Sequence, residues 1–166
     1  MIALLLTAQV AVAQPVLHLP PLVAASVGAQ LLERLNAHRR LAGLRLLRID
    51  VIAVQAAQQQ ADDMATTGNL VHGDKYGRQP MTRYEVLGGN PAYYGENVGF
   101  YGSRSLDQLD VSREISSLDE LMMAELPPND GHRLNILSEH FQAVGFGFAI
   151  GPRGFFFDED FVGYRR

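Results

Sequence analysis

The order of hydrophobic periods along this chain predicts an α+β layered domain. Stretches of helical spacing dominate the first three quarters, and a pair of alternating segments closes the sequence. The turn signal Gly151-Pro152-Arg153-Gly154 joins that pair, which makes the two segments antiparallel neighbours. A single domain with a small antiparallel sheet is expected, because 166 residues supply one sizeable core and no second one.

The N-terminus comes first in that order. Residues 1–13 are expected to be an export signal: an apolar stretch from Ile2 to Leu6 leads to Ala11-Val12-Ala13, small residues suited to a signal peptidase. No Lys or Arg precedes the apolar core, an atypical feature of the signal. The stretch is well short of the ~20 apolar residues of a membrane span, and no lipidation cysteine follows the cut. Cleavage near Ala13 would give a secreted or periplasmic product, with residues 14–24 as an extended, proline-containing leader and 25–166 as the domain.

Leu31, Leu32, Leu35, His38 and Leu41 keep helical spacing, so a first helix is expected from Ala25 to Ala42, with Gly43 ending it. Asp50 is a natural N-cap for a second helix, whose Val51, Val54, Ala57, Ala61 and Met64 share a face until Gly68 stops it. The glycines, prolines and polar residues from Gly73 to Pro91 predict an irregular loop. Gly95 to Tyr101 is a candidate strand. A third helical segment is expected from Ser105 to Leu126, burying Leu106, Leu109, Ile115, Leu118, Leu121 and Met122. Pro127-Pro128 stops it, and a short helix spans Gly131 to Leu137. Val144, Phe146 and Phe148, then Phe155, Phe157, Glu159 and Phe161, alternate as the closing strands.

Composition narrows the function classes. Apolar content of 47% with 19% charge is ordinary for a globular protein. A net charge of −4 argues against nucleic acid as a partner. Arg34, Arg39, Arg40, Arg45 and Arg48 read as a solvated face. The chain has no cysteine, which removes thiol chemistry, cysteine zinc sites and disulfides. Asp158, Glu159 and Asp160 read as edge charges that discourage sheet-to-sheet pairing rather than as a calcium site. No partner is evident for His18, His38 or His140.

One constellation suggests chemistry. His72, Glu96 and His132 sit in three glycine-bearing words, VHGD (71–74), GENVGF (95–100) and GHRLNIL (131–137). Taken singly, each has a plain structural role: a residue at a helix end, a strand-end carboxylate, a helix N-terminal histidine. Gathered by a fold, imidazole and carboxylate bind a divalent metal such as zinc or divide acid and base roles. Neither HExxH nor GxSxG occurs, so the usual metalloprotease and serine-hydrolase scaffolds are missing. Tyr84, Tyr93, Tyr94, Phe100 and Tyr101 could line a groove or pack in the core.

With LNAHRRLAGLRLL (35–47), QQQADDMATTGNLVH (58–72), VGFGF (144–148) and FFFDEDF (155–161), these words resemble the bacterial branch of the CAP superfamily. This is also called the SCP domain family, after the cysteine-rich secretory proteins, antigen 5 and pathogenesis-related 1. The likeness runs from about Val27 to Tyr164 and implies a three-layer α-β-α sandwich. It also implies a central cleft of two histidines and two acidic residues. His72, Glu96 and His132 match three of the four positions, and Glu125 is the choice for the fourth, with Glu120 and Glu114 as competitors and a three-residue site as the further alternative. Missing from the family pattern are the disulfides of its eukaryotic members and a tryptophan in the third helix. The resemblance implies a secreted module with a lipid, sterol or protein ligand, and the donor set of His72, His132 and Glu96 suits weakly held Zn2+. The alternative is a metal-assisted peptidase or esterase in which Glu96 and Glu125 are catalytic.

Overall fold

Asp50 starts the element on which the rest is built. Its side chain accepts the backbone N–H groups of Ile52 and Ala53 at 2.7 and 2.9 Å, capping a helix that ends where Gly68 turns left-handed at φ 69°. The computed structural model describes residues 15–165. In chain order it contains α1 (Pro21–Leu41), β1 (Arg48–Ile49), α2 (Val51–Thr67), α3 (Pro80–Val86), β2 (Tyr93–Tyr101), α4 (Gln108–Met123), α5 (Gly131–Ile136), β3 (Ala143–Gly151) and β4 (Gly154–Gly163). The expected export signal and its cleavage point at Ala13 lie outside the described residues.

The strands form one sheet in the order β1-β3-β4-β2. β3, β4 and β2 run antiparallel, while the two-residue β1 lies parallel to β3, so the sheet is mixed rather than wholly antiparallel. Alternation along β3 explains how helices cover both faces. On one face Gly145, Gly147 and Gly151 leave room for α2: a Cβ on Gly147 would stand 2.2 Å from the Ala57 carbonyl oxygen. The matching helix face is alanine, with Ala53, Ala57, Ala61 and Ala65 fully buried. On the other face Val144, Phe146, Phe148 and Ile150 join Phe155, Phe157 and Phe161 of β4 in a core with Val27, Leu31 and Leu35 of α1 and Val111, Ile115 and Met122 of α4. Each such side chain contributes roughly 1.5–3 kcal/mol on full burial. The result is the α-β-α layering.

Several expectations need correction. α1 begins at Pro21, four residues early, because proline at the first helical turn needs no N–H partner. The loop after Gly73 contains a helix, α3, too short for a 3.6-residue period to register. α4 runs from the Asp107 cap to Met123, and Leu106, Leu109 and Leu121 are exposed. Leu41 is likewise exposed. β4 is a central strand, so Asp158, Glu159 and Asp160 are fully or almost fully buried rather than edge charges. Nor is the arginine group simply a solvated face. Arg39 is completely buried, its guanidinium donating to the carbonyls of Arg45, Ile136, Ser138 and Phe141, and Arg34 reaches Asp119 of α4 at 3.0 Å.

Candidate functional site

The site lies along β2, an edge strand of the sheet. Glycine at 95 lets α5 approach: a Cβ there would stand 2.7 Å from the Asn135 Oδ1 and 2.8 Å from the Phe141 ring. The Asn135 amide donates to the Glu96 carbonyl at 3.2 Å and to Asn97 Oδ1 at 2.9 Å. The Asn97 amide in turn donates to the His132 carbonyl at 3.3 Å and to Glu159 Oε2 at 3.1 Å. These two asparagines fix the helix carrying His132 against the strand carrying Glu96. Both stand inside the words GENVGF and GHRLNIL, yet nothing in their spacing announced the contact.

His72 follows α2, four residues past its glycine cap, and its Nδ1 lies 2.7 Å from Glu96 Oε1. The imidazole is 54% exposed, whereas the Glu96 side chain is 1% exposed. Arg83, delivered by the unforeseen α3, completes this half of the site. Its Nη1 donates to the His72 carbonyl at 2.7 Å and its Nη2 to Glu96 Oε2. Partial burial, and secondarily the Arg83 charge, hold the His72 pKa below its ordinary value, favouring the neutral ring.

His132 is the second residue of α5, and its Nδ1 lies 2.5 Å from Glu125 Oε1. Glu125 Oε2 accepts the backbone N–H groups of His132 at 3.0 Å and Arg133 at 3.4 Å. Burial raises the Glu125 pKa, but hydrogen bonding to the His132 ring, its charge and these amides outweigh that and hold it below its ordinary value. The competitors point elsewhere: Glu120 pairs with Arg34 at 3.2 Å, and Glu114 is buried on α4. Helical phase could not separate them because α4 ends at Met123, leaving Glu125 in the connection beyond it.

His72, Glu96, Glu125 and His132 line one open cleft of about 660 Å³, with Asn129, Gly131, Leu134 and Asn135. A ring nitrogen that faces a carboxylate carries the proton, so in its neutral form an imidazole here keeps its Nε2 lone pair for a metal or a proton. That donor chemistry fits a borderline ion such as zinc. The three-residue group whose ligand atoms fall within 4.8 Å of one another, among the described residues, is a different one: Glu96, Asp158 and Asp160. Burial, then the Asp160 charge, pushes Asp158 well up, and burial raises Asp160 to about 7.

The aromatic residues divide. Tyr84 is buried with its hydroxyl on Asp50 at 2.8 Å, Tyr93 stacks on His140 at 4.2 Å, and Phe100 packs on Phe156. Tyr94 alone of the five joins His72, Glu96, Gln79 and Met81 around an adjoining hollow of about 320 Å³. His38 and His18 also have partners, Asp119 at 3.0 Å and Asp62 at 2.9 Å.

Comparison with known proteins adds three findings. A family model described as CAP, the cysteine-rich secretory protein family, matches residues 32–163. No curated protein matches the chain. Among solved structures, an extracellular protein from Bacillus anthracis containing an SCP domain aligns at TM-score 0.64 with 21% identity, covering 81% of this chain and 39% of that one. An outer surface protein of Borrelia burgdorferi aligns at 0.68 and 15% identity, covering 85% and 94%, and the CAP domain of enterococcal PrgA at 0.67 and 19%, covering 88% and 64%. At these identities the structures establish a shared fold. This chain spans about two fifths of the Bacillus protein.

Proposed function

The chain belongs to the CAP family of cysteine-rich secretory proteins, and we propose that it is an exported binding module whose cleft holds a divalent ion, zinc first, on the Nε2 atoms of His72 and His132. The observation that carries this reading is the paired arrangement of the two histidines: each Nδ1 faces a glutamate, leaving Nε2 of each ring available to the cleft. Carboxylate–histidine pairs of this kind orient metal-binding imidazoles and raise their basicity. In this reading Glu96 and Glu125 hold the rings, and Glu96 stands outside the ligand set in which the sequence had placed it. Bound zinc would supply Lewis acidity and a polarised water.

Export agrees with the extracellular and outer-surface descriptions of the related structures, and no described helix is long and apolar enough to cross a membrane. A lipid-like ligand is supported by a separate hollow of about 360 Å³ between α1, α2 and β3, lined by Ala24, Gly28, Leu32, Val54, Phe146 and Phe148. The alternative, a metal-assisted peptidase or esterase, is weakened by the same geometry. Glu96 accepts from His72 and Arg83, and Glu125 from His132 and two amides, so both carboxylates are already engaged as acceptors that hold other groups, which disfavours either as a general base.

Calorimetric titration of zinc into metal-free protein tests the proposal. Micromolar binding is expected, abolished in His72→Ala/His132→Ala. It should weaken about 10–100-fold in Glu125→Gln, as for other outer-shell partners, and stay unchanged in Glu120→Gln. Equal binding by the double-histidine variant would sink the reading.

A further inference from the structure

Beneath the cleft, on the α2 face of the sheet, Glu96 of β2 sits opposite Asp160 of β4, with Asp158 two residues along. One oxygen from each lies within 4.8 Å of the others. Asp158 and Asp160 are both 0% exposed, and none of their four carboxylate oxygens has a hydrogen-bond partner. The Tyr94 hydroxyl, a buried donor, faces Asp160 from just beyond hydrogen-bond length. Buried polar atoms of native proteins are almost always satisfied, and such a concentration of orphaned acceptors points to a missing electrophile.

Charge gives the same answer. Arg83 bonds Glu96, lies 3.9 Å from Asp158 and acts on Asp160 through its charge, so one guanidinium serves three carboxylates. Ionised, the group carries two uncompensated negative charges in the buried interior, which a protein does not sustain. We propose that Glu96, Asp158 and Asp160 form a second, buried cation site that takes a hard divalent ion such as Mn2+, Mg2+ or Ca2+. A charge of +2 brings the group to neutrality, and an all-oxygen donor set selects hard ions over zinc. Oxygens at 2.0–2.6 Å from such an ion are at most about 4–5 Å apart, as these are. Glu96 belongs to both centres: Oε1 faces His72, while Arg83 holds Oε2. The proposal does not rest on zinc in the cleft.

The test uses Mn2+ alone, followed by electron paramagnetic resonance and calorimetry on the whole chain. Binding is expected in the wild type and in His72→Ala/His132→Ala. It should be at least tenfold weaker in Asp158→Asn/Asp160→Asn, whose near-isosteric side chains relieve the charge crowding. Asp160→Asn alone, with the same expected loss, serves if the double variant does not fold. Failure of the folded wild type to bind Mn2+ would overturn the proposal and assign neutralisation to protons. Binding that survives the asparagine substitutions, or that disappears in the double-histidine variant, would overturn it by locating the ion elsewhere.

Discussion

Asp50 ties three separate parts of the chain together outside the cleft. One oxygen caps α2, and the other accepts the hydroxyls of Tyr84 and Tyr164. Burial pushes its pKa up, but the bonds from Tyr164, Ala53, Tyr84 and Ile52 outweigh that and hold it below its ordinary value of 3.8. A depressed carboxyl contributes stability that is fully present above the unfolded pKa and is lost as pH falls through the folded one. We therefore expect acid unfolding, followed by denaturant titration over about pH 2–6, to show a steep limb that flattens in Asp50→Asn. A variant with the same pH slope as the wild type would refute this assignment. The cap was legible in the sequence, since Asp50 immediately precedes an apolar face of helical spacing. Its tyrosines, 34 and 114 residues away in the chain, were not. The same division runs through the cleft. His72, Glu96 and His132 announced themselves by residue type, whereas Arg83, Asn97 and Asn135 act through contacts that only the fold creates.

At the scale of elements, β3 and α2 meet with almost no side chain between them. The contact requires glycine on one partner and alanine on the other, so its disruption is specific in position. Gly147→Ala would drive a methyl group into the α2 backbone, whereas Gly102→Ala meets nothing within 4 Å. Overpacking of this kind costs about 1–3 kcal/mol. The first substitution should lower Tm by about 3 °C or more and the second should leave it nearly unchanged. Equal Tm values would contradict this packing. The alternation VGFGF made the strand readable, but period two does not say which face a helix will cover. α3 is not legible in the sequence because seven residues beginning with a proline give too few turns to show amphipathicity. The run Asp158-Glu159-Asp160 misled for a different reason. Charge in a strand ordinarily marks an edge, yet β4 pairs with β3 on one side and β2 on the other, so its acids are enclosed.

Across the whole molecule, layering and site share one cause. Helices cover both faces of a four-stranded sheet, and the connections that lead away from them converge on the β2 edge. The α2 end delivers His72, the residues after α4 deliver Glu125, and α5 delivers His132. Family membership and layering were legible because the telling words are spread from α1 to β4. The division of labour within the cleft was not, because which carboxylate oxygen meets which ring nitrogen depends on distances that spacing along a chain does not encode. The central claim is that the imidazoles bind the ion while the glutamates hold the imidazoles. X-ray absorption at the zinc edge of the zinc-loaded protein tests it most directly. The account predicts two imidazole nitrogens at about 2.0–2.1 Å, lost together in His72→Ala/His132→Ala. A shell of carboxylate oxygens without imidazole would contradict it.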